Sequence, residues 1–377
     1  MQPLSAFRIL AVVPYKIFPA LMGGQKGIAL FYKYLSGRVH LKCLTTSNNQ
    51  PSESYEVLPA IPFKPWRYFW PLLFFRLKAL AAQSNRTHLL FEHPYYAWLI
   101  VLCKLFLPYR IIVHSHNIEA ERFKSIGKWW WRGLALYEKL AYRMADVLWF
   151  KTEEDRHYAV LYYKVREEKC YVIPYGVEAE RLGESGEYQR CKQTLLQQYQ
   201  LSNDTHLLLF NGTLNYKPNL DALILILDQI EPLLRSRLKN YRILVCGKGL
   251  PELIKQRMDT NTSRVLYAGF VDDIDLYFKG CDLFLNPLQD GGGIKTKLVE
   301  ALGFGTKCVS SVNGAIGVDP ALCGGRLQIV ADKDWEGYGR AIEHLLQTPI
   351  ENANLDFYQV YSWPSIAEKA AGTLRIG

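Results

Sequence analysis

Three consecutive glycines, Gly291–Gly293, separate a short apolar run from a segment that carries two lysines and a glutamate. Glycine lacks a Cβ atom, so the backbone there can adopt positive φ angles and bring its N–H groups close to a ligand. Lys297 and Glu300 would share one face of a following helix, whose N-terminus adds unpaired N–H groups. We therefore predict a site for a phosphate-bearing molecule, with Ile294 and Lys295 in the same loop. A tight turn followed by a solvated helix with a Lys297–Glu300 ion pair is the alternative.

Two further glycine-containing loops follow predicted strands in the second half of the chain. Lys217 precedes Pro218, a residue that suits the first turn of a helix, so its ammonium group could meet a phosphate at that helix N-terminus. Gly212 and Thr213 belong to the same loop. A plain strand-to-helix turn explains this loop equally well. The motif around Gly247 is a weaker signal, because a single G-x-G is common in turns.

The segment from Val113 to Arg122, VHSHNIEAER, places two histidines, an asparagine and two glutamates where an apolar strand ends. His114 and His116 lie on the same side of an extended chain. A histidine at a strand end suits hydrogen bonding to a ligand, and Asn117 follows directly. Two histidines could also ligate a metal ion, but the spacing shows no third ligand, so we predict no metal. A structural histidine is the alternative, and it fits His114 better than His116.

Gly23 and Gly24 follow the first apolar run and precede a helix-length segment that starts at Gly27. We expect the pair in a loop. There it would either let a ligand approach the backbone closely or serve as a hinge, and the sequence favours neither.

These candidate residues follow apolar runs of strand length, which alternate with helix-length segments along the whole chain. Two successive series of this kind predict an α/β protein with two Rossmann-like, parallel-sheet domains. Ligands of such sheets bind at the carboxyl ends of the strands, so two sheets facing a central cleft would share one site. We predict an N-terminal domain over 1–180, a C-terminal domain over 181–355, and a last helix within 356–377 that crosses back. The predicted strands are Arg8–Tyr15, Thr87–Phe91, Arg110–Val113, Val147–Phe150, Lys169–Ile173, His206–Phe210, Tyr241–Cys246, Arg264–Ala268, Leu283–Asn286 and Lys307–Ser310.

The composition is that of a globular protein: the chain has 377 residues, of which 49% are hydrophobic. The eight cysteines form no C-x-x-C pair, so we predict free thiols in a reducing compartment, without disulfides or a zinc site. The first apolar run is too short for a signal peptide, and no run reaches the roughly 18 to 20 residues that span a bilayer. The sequence therefore predicts a cytoplasmic protein.

Positive charge is concentrated in residues 1–110, which contain 13 Lys and Arg but three Asp and Glu, whereas the whole chain has a net charge of +9. The segment from Pro62 to Leu80 mixes basic and aromatic residues without an acid, and Trp129–Trp131 lie among further basic residues. This composition suits a surface that rests on anionic lipid. Nucleic acid could use similar residues, but we find no nucleic-acid-binding motif and predict no such partner. Core packing is the alternative for the three tryptophans.

Several motifs follow one another in a characteristic order: GGQKG, VHSHNIEAER, VIPYGVE, FNGTLNYKPNLDAL and LYAGFVDDIDLYFKGCDLFLNPLQDGGGIKTKLVEALGFG. Each motif is modest alone. Their order and spacing resemble the retaining glycosyltransferases of family four, which have the GT-B fold. The resemblance spans nearly the entire chain and is strongest from Phe210 to Gly317.

The resemblance implies transfer of a sugar from a UDP-, GDP- or ADP-linked donor to an acceptor hydroxyl, with retention of configuration and without a required cofactor or metal. Glu300 matches the family glutamate that holds the donor ribose, and Lys217 and Lys297 match the cations placed against the diphosphate, a role for which Lys295 competes with Lys297. His116 matches a histidine near the transferred sugar. Gly23 and Gly24 match the family's N-terminal glycine pair, which lines the cleft. Phe270, Val271 and Asp272 match the stretch whose backbone commonly contacts the base of the donor nucleotide.

Two positions depart from the family pattern. Gly292 stands where the first glutamate of the E-x7-E signature is expected, as in a subgroup with a GxG-type loop, and Tyr175 replaces an interdomain asparagine.

We predict an enzyme of cell-surface glycan or polysaccharide biosynthesis on the inner face of the cell membrane, with a glycan or lipid-linked acceptor. The alternatives are a GT-B sugar-nucleotide epimerase or phosphorylase, a sugar-nucleotide-binding protein without turnover, and a basic nucleic-acid-binding module.

Overall fold

The computed structural model describes residues 7–20, 23–84, 86–259, 264–349 and 355–375. Contacts between Cα atoms divide the chain into two compact units. The first unit comprises Met1–Glu178, Gly292–Ile294 and Ser362–Gly377, and the second comprises Ala179–Gly291 and Lys295–Tyr361.

The first unit is built on a seven-stranded parallel sheet. Its strands are short and largely apolar because helices cover both faces of such a sheet. The strands are β1 (Arg8–Val12), β2 (His40–Thr46), β3 (Glu56–Ile61), β4 (Thr87–Glu92), β5 (Arg110–Ser115), β6 (Val147–Phe150) and β7 (Cys170–Val172). They lie in the order β3-β2-β1-β4-β5-β6-β7, so the direction of the winding reverses between β1 and β4.

Within the described ranges, six α-helices connect these strands, and one of them is capped at its first turn. The side chain of Thr152 accepts a hydrogen bond from the Asp155 backbone N–H at the start of the helix that begins at Glu153, which satisfies an otherwise unpaired donor. The helices are α1 (Gly23–Ser36), α2 (Leu72–Ala81), α3 (Ala97–Phe106), α4 (Glu119–Ser125), α5 (Trp131–Met144) and α6 (Glu153–Tyr163). Short 3-10 turns cover Pro65–Phe69, Pro94–Tyr96 and Glu167–Lys169.

The second unit repeats this plan with a six-stranded parallel sheet. Its strands are β8 (His206–Asn211), β9 (Tyr241–Cys246), β10 (Val265–Gly269), β11 (Leu283–Asn286), β12 (Lys307–Ser311) and β13 (Leu327–Val330). They lie in the order β10-β9-β8-β11-β12-β13, and the winding reverses between β8 and β11. Such a reversal leaves a crevice at the carboxyl ends of the two central strands, where ligands of doubly wound sheets bind.

Eight α-helices lie in the part of the second unit that the structure describes. They are α7 (Ser185–Gln198), α8 (Lys217–Leu225), α9 (Glu231–Arg237), α10 (Glu252–Met258), α11 (Ile274–Gly280), α12 (Thr296–Gly303), α13 (Trp335–Gln347) and α14 (Leu355–Tyr361). A π-helical turn over Ile226–Ile230 joins α8 to α9, and 3-10 turns cover Asn313–Ala315 and Pro320–Cys323.

The last helix, α15 (Trp363–Thr373), packs within the first unit. The Trp149 indole N–H on β6 donates to the Thr373 hydroxyl at 3.1 Å. Trp363 is fully buried, and its ring lies 5.2 Å from that of Tyr175. Tyr175 also passes within 3.1 Å of the position that a Cβ on Gly27 would occupy, so the tyrosine at this departure from the family pattern is a packing residue.

The prediction of two parallel α/β sheets is confirmed, and each of the ten predicted strands has its counterpart. Sequence reasoning missed β2, β3 and β13. Two of them, β3 and β13, are edge strands, where burial is incomplete and the apolar signal is weak; β3 also contains Pro59, which edge strands tolerate. All eight cysteines are free thiols. Within the described ranges, no helix combines the length and the apolar character that crossing a bilayer requires.

Candidate active site

The glycine loop, Gly291–Gly293, lies between β11 and α12, as the sequence predicts. Gly291 and Gly293 have φ angles of 98° and 69°, a region that side chains rarely tolerate. The Lys295 ammonium donates to the Gly291 carbonyl at 2.6 Å, which braces the loop immediately before the helix begins. The loop is therefore a defined bend that leads into the first turn of α12.

Helix α12 carries the predicted lysine and glutamate side by side. The Lys297 ammonium donates to Glu300 Oε2 at 2.8 Å, and the two side chains are 33% and 7% exposed. The ion pair of the alternative interpretation thus exists, but the helix is not solvated, because Leu298 and every residue after it in α12 are buried. Burying a carboxylate costs free energy unless polar groups pair with it, so the buried Glu300 carboxylate is suited to accept hydrogen bonds from polar partners.

The loop after β8 is organised by its own side chains. Asn219 donates its amide to the Thr213 carbonyl at 3.0 Å and lies 2.8 Å from where a Cβ on Gly212 would stand. Lys217 is the first residue of α8, pairs with Asp221 one turn later, and has a side chain that is 79% exposed. An exposed ion pair of this kind contributes little stability, so the Lys217 ammonium can leave Asp221 and bind an anion at small cost.

Gly247 has a structural explanation of its own. Its φ is 146°, and a Cβ there would lie 1.8 Å from the Gly212 carbonyl oxygen, so no side chain fits.

The predicted base-binding stretch, Phe270 to Asp272, forms the turn between β10 and α11, and Phe270 is 68% exposed. Among the residues that the structure describes, no contact assigns a ligand role to this stretch, and that role stays a prediction.

A second cluster lies at the carboxyl ends of β4 and β5 in the first unit. Glu92 is fully buried and receives a hydrogen bond from each of three side chains. The Tyr32 hydroxyl donates to Oε1 at 2.7 Å, His114 Nδ1 lies 3.0 Å from Oε1, and His116 Nε2 lies 2.6 Å from Oε2. An ionised carboxylate only accepts, so both imidazoles must donate, which fixes their tautomers. His116 therefore keeps Nδ1 as an unprotonated acceptor.

The protonation states of this cluster follow from its burial. Burial lowers the pKa of His114 to about 4 and lowers the pKa of His116 well below its ordinary value, so both rings are neutral near pH 7. Burial by itself would raise the pKa of Glu92, but the two imidazoles that hydrogen-bond to it hold that pKa well below the ordinary value. The result is one buried anion held by neutral donors.

His93, directly after β4, extends the cluster. It has φ 64° and ψ 161°, a strained conformation for any residue with a side chain. Its ring stacks on that of His116 at 4.4 Å, Nε2 lies 2.8 Å from the Tyr15 hydroxyl, and Nδ1 lies 3.1 Å from Glu119 Oε1. Burial opposes ionisation of Glu119, yet His93 and Arg122 lower the pKa of that carboxyl to about 2. Strain of this kind persists where the surrounding contacts enforce it, often at functional sites.

A buried carboxylate positions helix α4, which carries Glu119. Glu138 accepts hydrogen bonds from the backbone N–H groups of Glu119 at 2.9 Å and Ala120 at 3.2 Å. Burial is the main reason that the pKa of Glu138 rises to about 7. The helix is thus tied to α5 through its first turn rather than through a local cap.

Glu92, His114 and His116 also meet one criterion for a metal site, since one ligand-type atom from each lies within 4.8 Å of the others. Glu92 is the third donor that the spacing of the histidines did not reveal. Two histidines and a glutamate are ligands that Zn²⁺ accepts. In this geometry, however, both imidazole donors already satisfy the carboxylate, so a metal would have to replace two protons. The absence of a required metal stays a prediction.

The predicted acceptor residues take different places. Gly23 and Gly24 lie in the first turn of α1 and not in the loop that we expected, because the helix begins four residues before Gly27. A Cβ on Gly24 would meet no atom within 4 Å, so packing does not require glycine there. Asn117 follows β5, and its carbonyl accepts the Ser115 hydroxyl at 2.8 Å.

Sequence reasoning missed Glu92 and His93. Their signal was a polar pair directly after an apolar strand, in the same position as the histidines after β5. In the parallel register Glu92 lies opposite His114, which brings together residues that are 22 positions apart.

Two doubly wound parallel sheets in succession, with a glycine loop leading into a helix and a buried polar cluster at the strand ends of the first sheet, are the architecture of the GT-B fold. Residues 205–348 match the family model described as glycosyl transferases group 1, and residues 23–181 match the one described as glycosyltransferase family 4. The chain belongs to the family-four glycosyltransferases, as its motifs predict.

The chain is similar to solved structures over almost its whole length. For sucrose-phosphate synthase from Thermosynechococcus elongatus the TM-score is 0.72 at 15% identity, covering 97% of this chain and 98% of the other. For WaaG, a glycosyltransferase involved in lipopolysaccharide biosynthesis, the TM-score is 0.68 at 16% identity, covering 98% and 100%. Anabaena HepE, solved with UDP and glucose, gives 0.68 at 16% identity, covering 98% and 99%. At such identities the likeness shows the fold alone. Comparison with curated protein sequences gave no significant match.

Proposed function

We propose that this glycosyltransferase moves a hexosyl group from a nucleotide-sugar donor to an acceptor hydroxyl with retention of configuration and without a required metal. The second unit, over about 181–355, binds the donor, and the first, over about 1–180, binds the acceptor. The observation that carries the proposal is the buried Glu300 carboxylate beside Lys297 on the helix that follows the strained glycine loop.

The donor-binding role follows from the chemistry of that helix. A buried carboxylate can accept hydrogen bonds from two ribose hydroxyls, the role that family resemblance gives to Glu300. The backbone N–H groups of the loop and the first turn of α12 are suited to a diphosphate, as is the ammonium group of Lys297. Lys217 supplies a further exposed cation at the start of α8. As the bond to the sugar breaks, these groups stabilise the charge that develops on the departing diphosphate.

The transfer step needs no protein nucleophile. The acceptor hydroxyl attacks from the side on which the diphosphate leaves, and a diphosphate oxygen takes its proton, so the new bond retains the configuration of the old one. We assign His116 to hydrogen bonding with the transferred sugar, oriented by Glu92 through the 2.6 Å contact. Because burial keeps this imidazole neutral, it stabilises the sugar without adding charge.

Gly292 bears on one alternative, a sugar-nucleotide-binding protein without turnover. Without the first glutamate of the signature, the sugar hydroxyls lose one family contact, and a binding protein without turnover would tolerate that loss. An epimerase or phosphorylase would use the same donor site. Product formation that depends on an acceptor hydroxyl separates the transferase from all of these, because isomerisation or phosphorolysis does not need one.

Donor binding is tested by thermal shift with UDP, GDP, ADP and their sugars. We expect one base to raise Tm by a few degrees, since a ligand at 100 times its Kd contributes about 2.7 kcal/mol of stability. UDP-glucose is the first donor to test because HepE was solved with it. If none of these nucleotides stabilises the protein, the proposed function is wrong.

We further propose that the first unit rests on the inner face of the cell membrane, where a glycan or lipid-linked acceptor of cell-surface polysaccharide synthesis would be found. Its basic aromatic segment is exposed, with Phe69 at 73% and Phe75 at 63%, and Trp129 is 88% exposed. That exposure rules out core packing for Trp129. Each Lys or Arg near an anionic bilayer contributes about 1 kcal/mol.

Vesicle co-sedimentation tests this docking. The wild type is expected to sediment with vesicles that contain anionic lipid and to stay in solution with neutral ones. A variant with Lys64, Arg67, Arg76 and Lys78 changed to Gln should lose most of the binding, whereas Lys255→Gln and Arg257→Gln on α10 of the second unit should not. Sedimentation that is indifferent to lipid charge would contradict the proposal.

A further inference from the structure

A large apolar cavity opens within the first unit, outside the clusters described above. Its volume is about 690 Å3, which is in the range of small-molecule sites. Aromatic and aliphatic side chains line it, among them Tyr68, Tyr95, Phe123, Trp130, Leu134 and Tyr137.

Two of the hydroxyl groups in this lining already have hydrogen-bond partners in the protein. The Tyr68 hydroxyl accepts a hydrogen bond from Arg67 at 3.0 Å, and the Tyr137 hydroxyl donates to the Tyr95 carbonyl at 3.3 Å. What remains for a ligand is mainly the apolar faces of the rings. A peptide backbone would bury N–H and C=O groups here without partners, at a cost of about 1–3 kcal/mol each. The cavity therefore suits a hydrocarbon chain.

One wall of the cavity leads to the histidine cluster. The Tyr95 ring stacks on His93 at 5.0 Å with an interplanar angle of 12°, and His93 stacks on His116 at 4.4 Å. A single imidazole ring thus separates the cavity lining from the residue assigned to the transferred sugar. A molecule whose apolar end fills the cavity can present its polar end to that cluster.

The rim offers a cation to such a polar end. The Arg67 guanidinium lies 4.5 Å from the centroid of the Tyr68 ring, and its hydrogen bonds go to the Pro14 carbonyl, the Lys64 carbonyl and the Tyr68 hydroxyl. Among the described residues no carboxylate pairs with it. Arg122, over the Phe123 ring at 4.6 Å, is by contrast neutralised by Glu119 at 2.7 Å. The uncompensated charge of Arg67 is complementary to an anionic group such as a phosphate.

We propose that this cavity binds the hydrocarbon chain of a lipid phosphate whose head group carries the acceptor hydroxyl, with the phosphate at Arg67 and that hydroxyl toward His116. The assignment rests on the proposed function and specifies the class of its acceptor. Each buried CH2 contributes about 0.8 kcal/mol, so a chain that fills part of the cavity gives the lipid a large advantage over its free head group.

Gly133 provides a clean way to fill the cavity. It lines the cavity in the first turn of α5, and a Cβ there would meet no atom within 4 Å. Gly133→Trp places an indole in the space, whereas Gly133→Ala improves helix propensity and leaves the space open. We would measure the Kd of farnesyl phosphate by titration calorimetry below its aggregation concentration, with farnesol and inorganic phosphate as comparison ligands.

Farnesyl phosphate is expected to bind the wild type and Gly133→Ala alike, and Gly133→Trp about tenfold or more weakly, which is 1.4 kcal/mol or more. Arg67→Gln should weaken farnesyl phosphate about tenfold but leave farnesol unchanged, because a charge-assisted hydrogen bond is lost. Equal binding to Gly133→Trp, or equal affinity for inorganic phosphate, would overturn the inference. So would self-association that Gly133→Trp abolishes, which would make the cavity an interface between copies.

A nucleotide thermal shift on the same preparations separates the two proposals. If a nucleotide raises the Tm of the wild type and of Gly133→Trp but farnesyl phosphate does not bind the wild type, the lipid inference is wrong. The proposed transferase function then still holds. Lipid binding without any nucleotide shift removes the transferase and, with it, the identification of the bound lipid as an acceptor.

Discussion

Replacing Glu300 with glutamine is expected to lower kcat/KM for the nucleotide-sugar donor about 100-fold. Two hydrogen bonds from ribose hydroxyls to a carboxylate become hydrogen bonds to a neutral amide, which accepts through a single oxygen. Hydrogen bonds to charged groups contribute about 1.5–3 kcal/mol and neutral ones about 0.5–1.5 kcal/mol, so the combined loss is about 2–3 kcal/mol. Lys297 also loses its partner at 2.8 Å. Steady-state kinetics with varied donor measures the effect.

Glu231 provides the matched control. It lies on α9 of the same unit, pairs with Arg235 at 2.7 Å, and has the same 7% side-chain exposure as Glu300. Glu231→Gln should therefore cost a similar amount of stability and leave the donor KM unchanged. If both variants raise the donor KM equally, the loss is one of folding, and Glu300 does not hold the donor.

Changing His116 to alanine is expected to lower kcat about 100- to 1000-fold while the donor KM changes little. The imidazole is held by Glu92 at 2.6 Å and stacked on His93, so it is pre-oriented for a hydrogen bond that strengthens as charge develops on the sugar. Removing one such preorganised group costs about 2.7–4 kcal/mol of transition-state stabilisation. Rapid-mix single-turnover measurements separate this effect from product release.

Two comparisons make the second prediction sharp. His88→Ala removes another buried histidine of the same unit, on β4, and should leave kcat within a few fold. Glu92→Gln should lower kcat as well, since an amide has a single acceptor oxygen and cannot accept from both imidazoles.

Because burial depresses the pKa of His116 below 6.5, the pH profile of kcat for the wild type should show no acid limb near that pH. The imidazole gains its proton only as the pH falls through the depressed value. A normal imidazole titration in kcat, with an acid limb near pH 6.5, would contradict the depressed pKa of His116.

The sequence was sufficient for what depends on local spacing. Alternating strand-length and helix-length segments predicted two parallel sheets, and the glycine run predicted the bend before α12. The three-residue spacing of Lys297 and Glu300 predicted their contact because side chains at i and i+3 of a helix meet whatever the rest of the fold does. The exposure of the basic aromatic segment followed in the same way from its composition.

What the tertiary structure decided depends on strand order. Glu92 joins His116 because β4 pairs with β5 in register. His93 is held in its strained conformation by contacts from Tyr15, in the loop after β1, and from Glu119 on α4. The apolar cavity is assembled from side chains of four separate segments, none of which signals it alone. Strand order and helix docking are set by the summed burial of many distant residues, so no local pattern encodes which polar side chains will share a strand end.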